Sequence, residues 1–129
     1  MAQEGLLQIN EILNDYTDDI QNGIRNIAKE VAKEDVNKLR NTTNTYKVRS
    51  GDYNKGWSVK TTNGMNFINC IVHNKDHYQL THLLEKGHRI KRNGTIKGNA
   101  KAYPHIAPVE KQSNEQFQRK VETLIRNGG

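Results

Sequence analysis

Residues 57–73 read WSVKTTNGMNFINCIVH, and this stretch decides the fold. Its first part alternates between apolar and polar residues, and Phe67–His73 is rich in β-branched and apolar residues. Asn63-Gly64 lies between the two parts, and this pair favours the short turns that join antiparallel strands. The stretch therefore predicts two strands of an antiparallel meander, with Trp57 anchoring the core between sheet and helix. The alternating segment Tyr46–Arg49 predicts a further strand before them.

On the N-terminal side, the first forty residues predict helix. Apolar residues recur at steps of three or four, which places them along one side of a helix; they are Leu6, Ile9, Leu13, Tyr16, Ile20, Ile24, Ile27 and Val31. A continuous helix from Gln3 to Leu39 would be about 55 Å long. Either it breaks near Gly23 or in the polar stretch Asn14–Asp19, or it extends beyond the domain body. We assign residues 1–41 to a helical arm, of which at least half docks on the chain's own sheet.

On the C-terminal side, two further elements are predicted. Tyr78–Leu84 predicts a short helix with three leucines on one side, and Gly87 follows at the position where helices favour glycine. Asn93-Gly94 then joins Arg89–Arg92 to Thr95–Lys97, which predicts a hairpin. Because this hairpin is very polar, we expect it to project from the body.

The only two prolines, Pro104 and Pro108, bracket His105-Ile106-Ala107. Residues before proline disfavour helix, so this short stretch is predicted to be extended, with a final helix from Val109 to Arg126. The whole chain is predicted to form one α+β domain. It comprises the helical arm, a region at 45–108 with an antiparallel sheet of three to four strands, the short helix and the basic hairpin, and a C-terminal helix at 109–127 packed on the sheet.

Composition indicates a thin core, because 33% of the 129 residues are hydrophobic and 26% are charged. Either the domain is elongated and rich in loops, or it completes its burial against neighbouring subunits. The single cysteine, Cys70, has no partner for an internal disulfide and is expected to be a small buried hydrophobic residue. No secretory signal or membrane-spanning run is visible, which predicts a soluble protein made in a cytoplasm.

Positive charge is concentrated in the middle of the chain. Residues 1–40 carry 5 basic and 8 acidic side chains, residues 41–109 carry 11 and 3, and residues 110–129 carry 4 and 3. The candidate basic contact surface lies at 89–101 and contains Arg89, Lys91, Arg92, Lys97 and Lys101. Such a surface attracts phosphate backbones or an acidic protein, or it remains a solvated face without a partner.

Catalytic and metal-binding patterns are not found. The histidines lack the tight spacing of a zinc site; they are His73, His77, His82, His88 and His105. No nucleophile motif accompanies them, and the only acid close by is Glu85. Phosphate-binding glycine loops are also missing. We therefore expect no catalytic residue, no metal and no cofactor, and interpret the histidines as hydrogen-bonding groups that orient loops.

Three segments are distinctive, namely GDYNKGWSVK at 51–60, HYQLTHLLEKGH at 77–88 and YPHIAP at 103–108. Together they resemble one known family, the tail-component proteins of long-tailed bacteriophages, described as tail-completion or head–tail joining proteins and similar to tail terminators. Ser50, where the family motif favours threonine, is a small departure. The residues that carry the resemblance are Gly51, Gly56, Trp57, His77, Tyr78, Leu83, Leu84, Gly87, His88, Pro104, His105 and Pro108.

This resemblance implies a structural protein of the virion rather than an enzyme. It implies an α+β fold and a homo-oligomeric ring, commonly six-fold, in the neck region at the head-proximal end of the tail tube. It implies contacts with tail-tube subunits and with a head-completion or connector protein. DNA passes through such a ring, so a passing contact with DNA is compatible with it, whereas no membrane is involved.

The alternative hypothesis is a non-specific nucleic-acid-binding module that uses the basic hairpin at 89–101. It follows from the excess of positive charge in the middle region, because phosphate contacts need no sequence-reading motif. No recognised duplex-reading module accompanies that charge.

Overall fold

The computed structural model describes residues 7–41, 55–75, 85, 88–92, 95–100 and 105–128. Its strands and helices are, in chain order, β1 (Leu7–Ile12), α1 (Asp18–Arg40), β2 (Trp57–Asn63), β3 (Phe67–Asn74), β4 (His88–Arg92), β5 (Thr95–Ala100) and α2 (Ile106–Arg126). The predicted α+β class is confirmed: within the described part of the chain, an N-terminal and a C-terminal helix pack on a three-stranded antiparallel sheet.

β3 is the central strand of this sheet, whose order is β1-β3-β2. Both neighbours run antiparallel to β3, so that Val72 pairs with Leu7 on one side and with Val59 on the other. The turn between β2 and β3 is closed by the backbone N–H of Gly64, which donates to the carbonyl of Phe67 over 3.0 Å. The two strands predicted within residues 57–73 are thereby confirmed.

The prediction of helix across the first forty residues is wrong for Leu7–Ile12, which form the edge strand β1. Leu7 and Ile9 are buried whereas Gln8 and Asn10 are exposed, a period of two that belongs to a strand. Pairing with β3, some sixty residues later in the chain, selected the strand over the helical spacing. A helix break near Gly23 or in the polar stretch Asn14–Asp19 was left open. α1 begins within that polar stretch, at Asp18, and runs through Gly23 without interruption.

α1 begins and ends at positions that local chemistry favours. The hydroxyl oxygen of Thr17 accepts a hydrogen bond from the backbone N–H of Ile20, which caps the first turn. Basic residues lie in the last turn, where they complement the helix dipole. Eight residues of α1 are buried, namely Ile20, Ile24, Ala28, Val31, Ala32, Asp35, Val36 and Leu39.

α2 begins at Ile106, three residues before the predicted start at Val109. The prediction of extended backbone is therefore wrong for Ile106 and Ala107. Pro108 lies in the first helical turn, where a backbone N–H has no partner within the helix, so the missing donor does no harm. α2 packs against α1, and at Gly23 the contact is so close that an added Cβ would meet the side chain of Leu124.

The core lies between the sheet and the helices. Trp57 and Cys70 are fully buried in it, as predicted. The other buried apolar residues are Leu7, Ile9, Leu13, Ile20, Ile24, Ala28, Val31, Ala32, Val36, Leu39, Ile68, Val72, Ile106 and Val109. Burial raises the pKa of the Cys70 thiol, so this cysteine behaves as a packed apolar group.

β4 and β5 pair antiparallel in a sheet of their own, which confirms the predicted hairpin. The register shifts between Ile90 and Lys91. The predicted strand at Tyr46–Arg49 and the predicted helix at Tyr78–Leu84, with Gly87 after it, lie outside the described residues.

Candidate functional site

Glu85 binds the start of α2. One oxygen of its carboxylate, Oε1, accepts hydrogen bonds from the backbone N–H groups of His105 at 2.8 Å and Ile106 at 2.9 Å. The other oxygen, Oε2, accepts from the N–H of Ala107 at 3.1 Å. These N–H groups have no acceptor within the helix, and the helix dipole places partial positive charge there. We call this contact between Glu85 and residues 105–107 the Glu85 clasp.

Glu85 replaces the capping groups that α2 lacks. His105 stands at the N-cap position but makes no side-chain capping bond, and the first turn of α2 contains no acidic residue. The carboxylate of Glu85, twenty residues before His105 in the chain, accepts the capping hydrogen bonds and supplies the negative charge. Because one side chain accepts from three backbone donors, its loss affects the whole N-terminal end of the helix.

The imidazole of His105 connects the clasp to the core. Its Nδ1 atom lies 3.1 Å from Oε1 of Glu85, and its side chain is fully buried. On the other side, its ring meets the ring of Trp57 edge to face, with the centroids 6.0 Å apart and the planes at 69°. Such edge-to-face packing stabilises aromatic pairs beyond the area that they bury. His105 therefore joins Glu85 at the start of α2 to Trp57 in the core.

The pKa of Glu85 is set by a competition. Burial alone would raise this pKa, but the hydrogen bonds from the His105 side chain and from the backbone of Ile106, His105 and Ala107 together lower it to about 2. A carboxylate with so low a pKa is ionised at neutral pH and is a weak base. The geometry thus suits electrostatic attachment of a helix better than proton transfer.

Trp57 is held in place from two further directions. The guanidinium of Arg40, at the end of α1, donates from Nε and Nη2 to the carbonyl oxygen of Trp57 at 3.2 and 2.9 Å. The preceding Gly56 lies against the side chain of Asn74, and an added Cβ would overlap the amide of Asn74. The backbone of Lys75 also donates to the carbonyl of Gly56 over 3.0 Å. Position 56 therefore requires glycine because of this close approach.

Some of the residues singled out in the sequence come together here and others do not. Gly56, Trp57 and His105 share one site, with Pro108 in the adjoining helical turn, and His88 is the first residue of β4. Arg89, Lys91, Arg92 and Lys97 lie in the strands of the hairpin. Outside the described residues lie Gly51, His77, Tyr78, His82, Leu83, Leu84, Gly87, Pro104 and Lys101.

Sequence reasoning gave no role to Glu85. The available signal was that Glu85 is the only acid between residues 77 and 109, ahead of a helix whose first turn contains no acid of its own. A helix start without a local acceptor needs one from elsewhere in the chain.

A second polar contact, also missed, joins the middle of α2 to α1. The hydroxyl of Ser113 donates to Oδ2 of Asp35 over 2.6 Å, and both side chains are buried. Burial raises the pKa of Asp35 to about 6, although the hydrogen bond from Ser113 and the positive charge of Lys38 act in the opposite direction. Further along the same interface, Nζ of Lys120 lies 2.6 Å from Oε1 of Glu30.

The described ranges contain neither a metal-binding cluster nor a helix that could cross a membrane. No three His, Cys, Asp or Glu side chains among those residues stand close enough together to hold a metal ion. Neither α1 nor α2 is apolar over a length that would cross a membrane.

Comparison of the chain with protein-family models, with characterised proteins and with solved structures finds no match. The family interpretation therefore stays a prediction from the three quoted segments.

Proposed function

We propose that this chain is a non-enzymatic structural subunit of a long-tailed phage particle. In this proposal it forms a ring, commonly six-fold, at the head-proximal end of the tail tube. The ring joins the tail to the head-completion protein. The subunit is made in the host cytoplasm, resides in the neck of the virion and uses no cofactor.

The observation that carries this proposal is the meeting of the three segments that resemble the phage family. Trp57 comes from the first segment, Glu85 from the second and His105 from the third, and the imidazole of His105 contacts both of the others. Residues so far apart in sequence form one buried unit in the fold. This supports treating the three segments as a single signature rather than as three chance matches.

The edges of the sheet also support a subunit that buries further surface against its neighbours. Among the described strands, β1 and β2 each have a partner on one side only, and edge strands are places where another chain can pair. Together with the low apolar content, this favours a protein that buries further surface on assembly.

Electron microscopy tests the proposal. The purified chain is mixed with tubes assembled from the tail-tube protein of the same phage, and the tube ends are examined. We expect a ring capping one end of the tubes and a longer tube–chain complex in sedimentation. A chain that leaves both ends bare, alone and with the head-completion protein present, would contradict the proposal.

The runner-up function, a nucleic-acid-binding module, is favoured by the hairpin having formed with four basic residues in its strands. It predicts binding to duplex DNA that weakens steeply as the salt concentration rises. It also predicts that changing Arg89, Lys91, Arg92, Lys97 and Lys101 to Ala abolishes the binding. If the chain does not bind DNA at low salt, this function is eliminated.

A further inference from the structure

One end of the sheet exposes large apolar side chains. Ile12 is 67% exposed, Met65 is 88% exposed and Phe67 is 39% exposed. Ile12 and Phe67 are direct partners in the β1–β3 register, and Met65 lies in the turn that leads into β3. The three therefore form one apolar surface at the end of the sheet rather than scattered single residues, and a surface of this kind marks an interaction site.

Acidic residues follow immediately in the chain. Asp15, Asp18 and Asp19 are exposed, and none of them forms an ion pair with another described residue. No lysine or arginine occurs between residues 7 and 24. The backbone N–H of Leu13 donates to the carbonyl of Asn66 over 2.7 Å, so the chain enters this acidic segment beside the β2–β3 turn. We call the six residues together the acidic–apolar end; they are Ile12, Asp15, Asp18, Asp19, Met65 and Phe67.

Arg25, the first basic residue after these acids in the chain, bonds the β2–β3 turn. Nη1 and Nη2 of Arg25 donate to the carbonyl oxygens of Phe67 and Met65, both at 3.0 Å, and Nη1 also contacts the side chain of Asn63. Arg25 is thus committed to holding the β2–β3 turn. Asp18 and Asp19 help to stabilise the start of α1, but this role does not account for Asp15 or for the apolar surface beside it.

The β4–β5 hairpin has the complementary composition. Its strands contain Arg89, Lys91, Arg92 and Lys97, and Glu85 is the last acid before Glu110. Ile90 and Ile96 alternate with the charged residues. The hairpin therefore offers positive charge together with apolar residues, where the acidic–apolar end offers negative charge together with apolar residues.

We propose that the acidic–apolar end of one copy receives the β4–β5 hairpin of a second copy. The inference rests on the proposed ring and names the surfaces that build it. In a single copy the acidic–apolar end is uncovered, and its acids have no described ion-pair partner. Because the two surfaces differ, the contact is head-to-tail, and repetition of such a contact closes into a ring when the rotation fits. Opposite charges bring the copies together and fix their register.

Two charge-reversed variants test this contact. The end variant is D15K/D18K/D19K, and the hairpin variant is R89E/K91E/K97E. Each places like charges on both surfaces, so each alone should associate at least about tenfold more weakly than the wild type. Mixed in equal amounts, the end of each variant matches the hairpin of the other, so assemblies that contain both in equal number should reappear. Sedimentation velocity and native mass spectrometry at low salt measure this.

Matched variants separate folding from association. E110K/E115K/E122K changes the net charge as much as the end variant does, on exposed positions of α2, and should assemble like the wild type. Lysines at positions 18 and 19 weaken the start of α1, so Met65→Lys, in an exposed turn, gives a second way to disrupt the end. It should weaken association while the melting temperature stays unchanged.

The outcomes distinguish this inference from the proposed function. Reversed variants that assemble and cap tail tubes like the wild type, or a mixture that fails to restore assembly, would overturn the contact and leave the ring in place. Hairpin reversal that abolishes DNA binding but leaves assembly intact would also overturn it, since it assigns the hairpin to nucleic acid. Restored assembly that ignores tail tubes would support the contact and refute the tail function. A wild type that stays monomeric, both alone and on tubes, would refute the contact.

Discussion

Two carboxylates contact α2, the buried Asp35 and the half-buried Glu85, and their environments shift their pKa values in opposite directions. Glu85 meets the start of the helix and has a pKa of about 2, whereas Asp35 meets the middle of the helix at Ser113 and has a pKa of about 6. Burial pushes both pKa values upward, so the number of donors decides the outcome. The start of a helix offers free N–H groups and the middle offers none.

The donors differ accordingly. Glu85 receives three backbone hydrogen bonds and one from the imidazole of His105. Asp35 receives one from Ser113, and its Oδ1 atom has no hydrogen-bond partner in the described part of the chain. The ionised form of Glu85 therefore stabilises the fold, and the ionised form of Asp35 destabilises it.

The largest expected effect comes from removing the better-satisfied carboxylate. Glu85→Ala leaves three backbone N–H groups and the imidazole of His105 without this charged acceptor, which should lower the free energy of unfolding by about 3–5 kcal/mol. Urea denaturation at pH 7 measures the change. Glu122→Ala, an exposed glutamate on α2, serves as the control and should change the stability by less than about 0.5 kcal/mol. Equal effects of the two substitutions would show that the clasp contributes nothing.

The pH dependence of stability separates the two carboxylates. The pKa of Glu85 falls from 4.5 to about 2 on folding, so its contribution is present above pH 4.5 and is lost as the pH falls toward 2. The pKa of Asp35 rises from 3.8 to about 6, so the native state binds this proton more tightly and stability is lost as the pH rises from 3.8 to 6. This second loss amounts to at most about 3 kcal/mol.

A single substitution should remove each of the two pH-dependent losses of stability. Asp35→Asn should abolish the decline between pH 4 and pH 6, and Glu85→Gln should flatten the acid limb below pH 4.5, because neither amide titrates. Thermal unfolding across pH 2–8 measures both limbs. A decline above pH 4 that persists unchanged in Asp35→Asn would assign it to another group.

The smallest expected effect comes from a substitution at Ser113, the donor to Asp35. Ser113→Ala removes the hydroxyl that donates to Asp35, and at pH 7 it should destabilise the fold by about 1–2 kcal/mol. It should also shift the midpoint of the decline above pH 4 to higher pH, since less remains to stabilise the ionised form. Thr123→Ala, at an exposed position of the same helix, should do neither. Stability profiles of the two variants that coincide would contradict this role for Ser113.

Local pattern predicted much of the fold. Residues 57–73 gave β2 and β3 because alternation and an Asn-Gly turn act over a few neighbouring residues. β1 was missed because Leu7–Ile12 is also compatible with a helical stripe, and only pairing with β3 decides between the two. The start of α2 was missed for a related reason, since Glu85 supplies from a distance the acceptors that make Ile106 helical.

The candidate site was predictable only in part. Trp57 was expected in the core and His105 was expected to orient a loop, because residue type alone favours those roles. That the two rings touch, and that Glu85 joins them, depends on chain segments that approach only after folding. The burial of Asp35 could not be predicted for the same reason, because it depends on α2 packing over this position of α1.

The Glu85 clasp also has a mechanical consequence. Glu85 and His105 lie before and after the β4–β5 hairpin in the chain, so their contact pins the two ends of that excursion to one point of the body. A pull on the hairpin is carried into the N-terminal turn of α2 and, through the imidazole, into Trp57. Several hydrogen bonds to one carboxylate then share the load and must rupture together.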